Sequence, residues 1–430
     1  MAAPRSRIVA WALWDCGSTG LAAIVATFVF SVYLTKRVGA DLPGTTTPAT
    51  WLGWALAGAG ITVALLAPIT GAWVDAPQRR RRTLGALTAT LVALTAAMSL
   101  IRDDPNYLWA GLLLLALATA CGDLASVPYN AMLRQLATPQ TSGRISGFGW
   151  AAGYIGGVVL LLVVYVGFIS GEGPTTGLLH IPTADGQNVR AAMLMAAAWM
   201  AVFALPVLIA PPPPVDIDNV ALPTGVRGAI RRLWSDVAAE WRRDRNFVYY
   251  LLASAVFRDG LMGVFTFGGV LAAAVYGLSQ ADVLLFGVAA NVVAASGAVL
   301  GGLLDDRVGS KAIILGSLAA MLGVGSTLMT LSGATAFWVC GLLLCLFVGP
   351  TQASARTLLL RMTAHGREGV AFGLYTMTGR AAIFLAPMMF STFVTAFGND
   401  RAGMGGLLVV LAVGFVAMSL VRAPAPARRG

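Results

Sequence analysis

The chain runs to 430 residues, 57% of them hydrophobic and 11% charged, with a formal net charge of +10. Soluble globular domains carry about 25% charged residues, so that class is excluded. The apolar residues come in runs of about 20, each enough to cross about 30 Å of hydrocarbon, and the alternation of a transmembrane barrel is absent. An all-α membrane protein follows.

Twelve transmembrane helices are predicted, over residues 8–34, 51–74, 84–101, 107–133, 145–168, 191–209, 247–278, 281–304, 312–331, 336–360, 370–397 and 404–421. The first run is too long for a cleavable signal, contains Asp15 and lacks a cleavage site, so it is expected to stay in the mature protein. Residues 1–210 form one six-helix bundle, 211–245 a cytoplasmic linker and 246–430 a second bundle. Prolines from Pro211 stop the sixth helix. Beyond them Val226, Ile230, Leu233, Val237 and Trp241 recur at spacings of three and four, with arginines between. That pattern predicts an amphipathic helix lying along the inner leaflet, with a cytoplasmic partner as the alternative occupant of its apolar face.

Twenty-one of the 29 Lys and Arg fall in loops on the side of the termini and five on the other side. The positive-inside rule then puts both termini in the cytoplasm. Topology and anionic lipid account for the net charge, so no nucleic-acid partner is expected. Cys16, Cys121, Cys340 and Cys345 all lie within spans and read as small buried hydrophobes, with no metal site or cofactor.

The two halves repeat each other. GAWVDAPQRRRR from Gly71, after the second span, answers GLLDDRVGSK from Gly302, after the eighth. Residues 128–153 align with 354–379 without a gap, so that Gly143, Gly147 and Gly153 fall opposite Gly369, Gly373 and Gly379, Asn130 opposite Arg356, and Tyr154 opposite Arg380. Two duplicated six-helix bundles, pseudo-symmetric about an axis between them, suit a transporter that rocks about a central site.

The paired loops resemble the signature of the major facilitator superfamily. Gly71, Asp75, Arg79 and Arg80 match it in the first copy and Gly302, Asp306, Arg307, Gly309 and Lys311 in the second, while Gln78 and Ser310 depart from it. A carboxylate there can cap the positive N-terminus of a neighbouring helix; the resemblance implies a latch that sets the outward-facing state. WALWDCGSTGLAAIVATFVFSVYLTK, VPYNAMLRQLA, GRISGFGWAAGYIGG, FRDGLMGVFTFGGVLAAAVYG and FGLYTMTGRAAIFLAP are similar to the vacuole-effluxer-like branch of that superfamily. Trp14, Ser18 and Arg380 depart from the residues common in that branch.

Ionisable residues inside spans mark function by default. Arg258 and Asp259 are adjacent, about 100° apart around their helix, so each needs its own partner. Asp259 is read as a substrate contact, a structural pair or, with Asp123, a proton carrier; Asp15 as a gate or a coupling acid. Arg356 is the leading candidate for a substrate carboxylate, with Asn130 opposite it and Arg258, Gln352 and Tyr154 as further contacts. Arg380 is read as a packing or gating charge. Three acids and three arginines suit a zwitterion.

No nucleotide, hydrolase or metalloprotease motif stands on a suitable element, so no enzymatic activity is expected. The sequence reading is a monomeric plasma-membrane exporter working by alternating access. It moves a small polar metabolite, with an amino acid implied by the resemblance, coupled to a proton; sodium coupling, uniport and exchange stay open. Efflux of a drug-like or lipid-like amphiphile by proton antiport is the alternative, and a non-transporting receptor or scaffold the third reading.

Overall fold

The computed structural model describes residues 4–43, 45–212 and 245–424. Among these, twelve helices are long and apolar enough to cross a membrane: α1 (Arg5–Val38), α2 (Pro48–Val74), α3 (Pro77–Leu100), α4 (Pro105–Leu136), α5 (Ser142–Ile169), α6 (Ala184–Ile209), α7 (Arg245–Ala274), α8 (Ala281–Val308), α9 (Ser310–Thr330), α10 (Ala334–Met362), α11 (Glu368–Phe397) and α12 (Asp400–Leu420). The amphipathic helix expected over 226–241 lies outside the described residues.

Each helix overlaps one predicted span, and most run further at their ends. Hydropathy finds only the part of a helix that sits in hydrocarbon, whereas the backbone keeps its internal bonds until a cap or a breaker stops it. The clearest difference is α3, which starts at Pro77 rather than residue 84 and carries Arg79 to Arg82 in its opening turns. Proline suits that first position because its missing N–H would have had no partner there. Ser279 and Asp282 close a capping box at the start of α8, and the Asn399 side chain accepts from Ala402 N at the start of α12. Between α5 and α6 a short hairpin, β1 (Thr175–Thr176) and β2 (Ile181–Pro182), pairs antiparallel.

α11 is broken. Its helical segments run Glu368–Ala382 and Leu385–Phe397, with the interruption at Ile383 and Phe384. Pro387 explains it: in a continuous helix its ring would collide with the Ile383 carbonyl, whereas in the first turn of a new segment its missing N–H is harmless.

α2 lies along α11 and α5 along α8, and these are the most extensive contacts between α1–α6 and α7–α12. The seam is made of paired small residues. Gly71 faces Gly369 and Gly143 faces Gly302, so close that a Cβ on any of them would overlap the partner helix. One turn on, Gly373 lies against the Ala67 carbonyl and Gly147 against the Ala298 carbonyl. These are one set of contacts made twice, in the register that aligns 143 with 369, 147 with 373 and 71 with 302. In lipid, helices associate through such close backbone approach rather than through a hydrophobic drive. All four contacts lie at the end of the bundle that carries the start of α1 and the loops after α2 and α8, here called the basic end.

Candidate functional site

Three layers of polar residues stack from the basic end toward the membrane centre. The outermost layer locks the seam. Asp75, just past α2, accepts from Val370 N at 3.1 Å, and Asp306 near the end of α8 accepts from Gly143 N at 2.7 Å and Arg144 N at 3.2 Å. Each carboxylate thus sits on the first turn of the opposite half's helix, where exposed N–H groups and the helix dipole favour negative charge. Burial in this closed seam pushes Asp75 up to about 7; the Val370 N–H and Arg80 work against that rise.

The basic residues of the two loop motifs take different partners. Arg80 is buried and donates to the carbonyls of Val74 at 3.0 Å, Ala131 at 3.0 Å and Asp75 at 3.3 Å, and to Glu368 Oε2 at 2.9 Å. Arg79 instead stacks on the Trp73 ring at 3.9 Å, and Arg307 is exposed. Gly309 takes φ +92° in the turn between α8 and α9, and Lys311 donates to the carbonyls of Ser419 and Val421 at 2.8 and 2.7 Å, closing the end of α12.

Sequence reasoning missed the central acid of this layer. Glu368, buried at the first position of α11, takes Arg80 on one oxygen and Arg134 on the other at 3.1 Å. Arg134 also donates to Leu360 O at 2.5 Å and Thr363 O at 2.7 Å. At the other copy of the motif Arg361 reaches Asp305 at 2.6 Å and Asp306 at 3.4 Å. The signal available was modest: Glu368 is an isolated acid among basic loop residues, directly before an aligned glycine.

The second layer surrounds Arg356 of α10, about 9 Å from its helix end by the rise of 1.5 Å per residue. Its Nη1 donates to Asn130 Oδ1 at 3.1 Å, Nε to Ser146 Oγ at 2.9 Å and Nη2 to Ser146 O at 2.6 Å. Asp15 Oδ2 is 3.6 Å away. The rings of Trp11, Trp150 and Tyr129 lie 5.0, 5.6 and 5.9 Å from the guanidinium carbon. Tyr129 is held in turn between Trp11 and Trp14, at 4.6 and 4.4 Å. Arg356 is therefore plugged, 3% exposed, into an aromatic socket of the opposite half, with its donor groups engaged. One turn away Gln352 is buried with its Oε1 unpartnered, and Tyr154 is buried against Trp150 and Phe265.

The third layer is deeper. Asp123 of α4, Arg258 of α7 and Arg380 of α11 each lie about 18–20 Å along their helices from the basic end. Asp123 and Arg380 form an ion pair between the halves, with side chains 23% and 26% exposed. Arg258 lies over the Tyr375 ring at 3.7 Å and donates from Nη1 to Tyr375 O at 3.2 Å. Asp259 turns away from it, as the helical angle requires. Its Oδ2 accepts from Ala386 N at 2.5 Å, capping the second segment of broken α11.

The layers bring Arg356, Asn130 and Asp15 together, and separately Arg258, Arg380 and Asp123; Asp259 stands apart from both.

Residues 134–428 match the family described as vacuole effluxer Atg22 like. Over 412 residues the chain is 22% identical to the MFS-type transporter YxiO of Bacillus subtilis (strain 168), covering 96% of this chain and 94% of that one. It is 24% identical over 298 residues to autophagy-related protein 22 of Yarrowia lipolytica, which covers 63% of this chain and 49% of that protein. In fold it is similar to the proton:xylose symporter XylE, with a TM-score of 0.72 at 15% identity over 97% of this chain and 96% of that one. YxiO and XylE are transporters rather than enzymes. With the repeated loop motif, the glycine seam and the twelve-helix fold, they place the chain in the Atg22-like branch of the major facilitator superfamily, as a multi-pass membrane transporter.

Proposed function

We propose that the protein is a proton-coupled exporter of a small polar metabolite, an amino acid favoured, working by alternating access in the plasma membrane with both termini cytoplasmic. The observation that carries this reading is the stacked arrangement of a closed seam at the basic end and a charged layer between the halves above it. With the basic end in the cytoplasm, where its arginines belong, this arrangement is closed to the cytoplasm. Efflux follows the family's description, and amino acids suit a central layer that offers both signs of charge.

The roles divide by layer. Asp75, Asp306, Arg80, Glu368, Arg134 and Arg361 form the cytoplasmic latch. Arg356 with Asn130, Ser146 and Asp15 forms the seal beneath the central site, because its donors are already engaged and its burial leaves no approach for solute. Asp123, Arg258 and Arg380 form the central site. Asp123 carries the proton: a partly exposed carboxylate whose arginine partner is on the other bundle changes surroundings each time the halves rock. Asp259 is a helix cap.

Counterflow in proteoliposomes, with labelled neutral, acidic and basic amino acids and one cationic drug, tests the reading; a trapped dye reports internal pH. Amino-acid exchange with a dye response lost in Asp123→Asn supports it. Movement of the drug alone would overturn the substrate assignment, and an intact dye response in Asp123→Asn the proton assignment.

A further inference from the structure

Among the described residues, Arg258 is a charge without an ion-pair partner. It lies about 18–20 Å from the end of its helix, where an unpaired ion costs several kcal/mol unless it faces a cavity or a partner. Its chain neighbour Asp259 points to Ala386 N and is spent there. Its polar partners among the described residues are the Tyr375 ring face and the Tyr375 carbonyl, which takes Nη1. That leaves Nε and Nη2, on a side chain that is only half-buried. Arg356 is the contrast: 3% exposed, with Nε, Nη1 and Nη2 all bonded.

Arg380 lies one residue beyond Gly379, and Arg258 packs directly on Gly379. A Cβ there would stand 3.1 Å from Arg258 Nη1. The two guanidinium groups are thus brought to one level of the bundle by the absence of a side chain. Among the described residues, Asp123 is the acid at this level, and it pairs with Arg380. Two cations share one anion, and the layer is one negative charge short.

We infer that Arg258 and Arg380 form a clamp for one carboxylate-sized anionic group of the transported solute, and that Asp123 is the resident counter-ion this group displaces from Arg380. The inference rests on the transport reading above and deepens its central site. Stacking on Tyr375 holds the Arg258 guanidinium plane, and a planar fork with free donors matches a carboxylate edge-on. Once displaced, Asp123 is left beside the bound anion and takes the ammonium of a solute that has one. A monoanion satisfies the layer's charge; a monocation would add to its excess.

Three probes of one carbon skeleton separate the cases: leucine, its 2-hydroxy-acid counterpart and leucinamide. The readout is the ligand-induced rise in melting temperature of the purified full-length protein, titrated to an apparent Kd. Leucine and the hydroxy acid are expected to stabilise and leucinamide not. Arg258→Gln and Arg380→Gln are each expected to weaken both at least about tenfold, the loss of one charge-assisted contact. Arg258→Lys and Arg380→Lys, which keep charge but lose the fork, should fall between and serve if a glutamine variant does not fold. Asp123→Asn removes the competitor, so the hydroxy acid should bind as well or more tightly while leucine loses its ammonium contact.

Leucinamide binding as tightly as the hydroxy acid, no stabilisation of the wild type by either anion, or unchanged affinity in both arginine variants would overturn the clamp. So would an Asp123→Asn loss for the hydroxy acid as large as that of the arginine variants. Counterflow of leucinamide undiminished in the arginine variants would overturn the clamp while leaving the transport reading intact. Binding as expected with no counterflow of any solute would do the reverse.

Discussion

Asn130 and Arg356 occupy equivalent positions in the two halves and touch across the seam, Arg356 Nη1 donating to Asn130 Oδ1 at 3.1 Å. A position that the duplication supplied twice has become two complementary halves of one contact. Around it Ser146 and Asp15 complete the guanidinium's partners.

Removing this arginine should open the basic end. Arg356→Ala leaves Asp15 without its cation in a buried socket, and losing one partner of a buried ion pair costs about 3–5 kcal/mol. That cost falls on the closed seam alone. Single cysteines placed near Gly143 and Gly302 should become reactive toward a small thiol reagent, with Asn130→Ala giving a weaker form of the same change. Unchanged labelling in Arg356→Ala would remove Arg356 from the seal.

The glycine seam predicts a steric lock against closure. Gly369→Val puts a branched side chain onto the Gly71 backbone, in a position with no room to yield; overpacking of this kind costs about 1–3 kcal/mol or more. Cross-linking between α2 and α11 near the basic end should fall sharply, and the equivalent Gly143→Val should do the same between α5 and α8. Gly53→Ala in α2, where a Cβ would meet nothing within 4 Å, should leave both unchanged.

Glu368 should matter more than either loop aspartate. Glu368→Gln leaves the buried Arg80 and the partly buried Arg134 facing a neutral amide, whereas Asp75→Asn loses one acceptor to a backbone N–H. Thermal stability should drop further in Glu368→Gln, by several degrees, and transport should slow in both. Equal melting temperatures for the two variants would show that the arginines find other partners.

The latch should respond to pH through Asp75. In the closed seam burial holds its pKa at about 7; in a water-filled open state it returns toward about 3.9. The closed state therefore binds this proton more tightly. Closure is relatively favoured at acid pH and loses that advantage as pH rises through about 7. Labelling of basic-end cysteines should increase from pH 6 to pH 8, and the increase should flatten in Asp75→Asn. A slope of the opposite sign would rule out Asp75 as its source.

Asp259 offers a test of cap against coupler. As a cap on the segment starting at Leu385, it should tolerate Asn, which still accepts from Ala386 N, while Asp259→Ala should lose about 0.5–2 kcal/mol. Melting temperature and dye-reported proton flux separate the outcomes. A stable Asp259→Asn with abolished proton flux would return the coupling role to this residue.

The twelve spans, the repeat and the two loop aspartates were legible along the chain, because lipid imposes a length and polarity on every crossing segment and duplication leaves a register. The same register brought Gly143 and Gly147 opposite Gly369 and Gly373, which the fold turns into matching contacts. The partners of the intramembrane charges were not legible in this way. Arg356, the leading candidate for a substrate carboxylate, is enclosed by Asn130, Ser146 and three rings from the other half, while Arg380, read as a packing or gating charge, lies with Asp123 and Arg258 at the membrane centre. Asp259 was read without its cap because the break in α11 that frees Ala386 N lies 127 residues away in the chain. Hydropathy and periodicity report what each helix asks of its solvent; which charge meets which is decided by how the two bundles face each other, and that is settled only when the chain is folded.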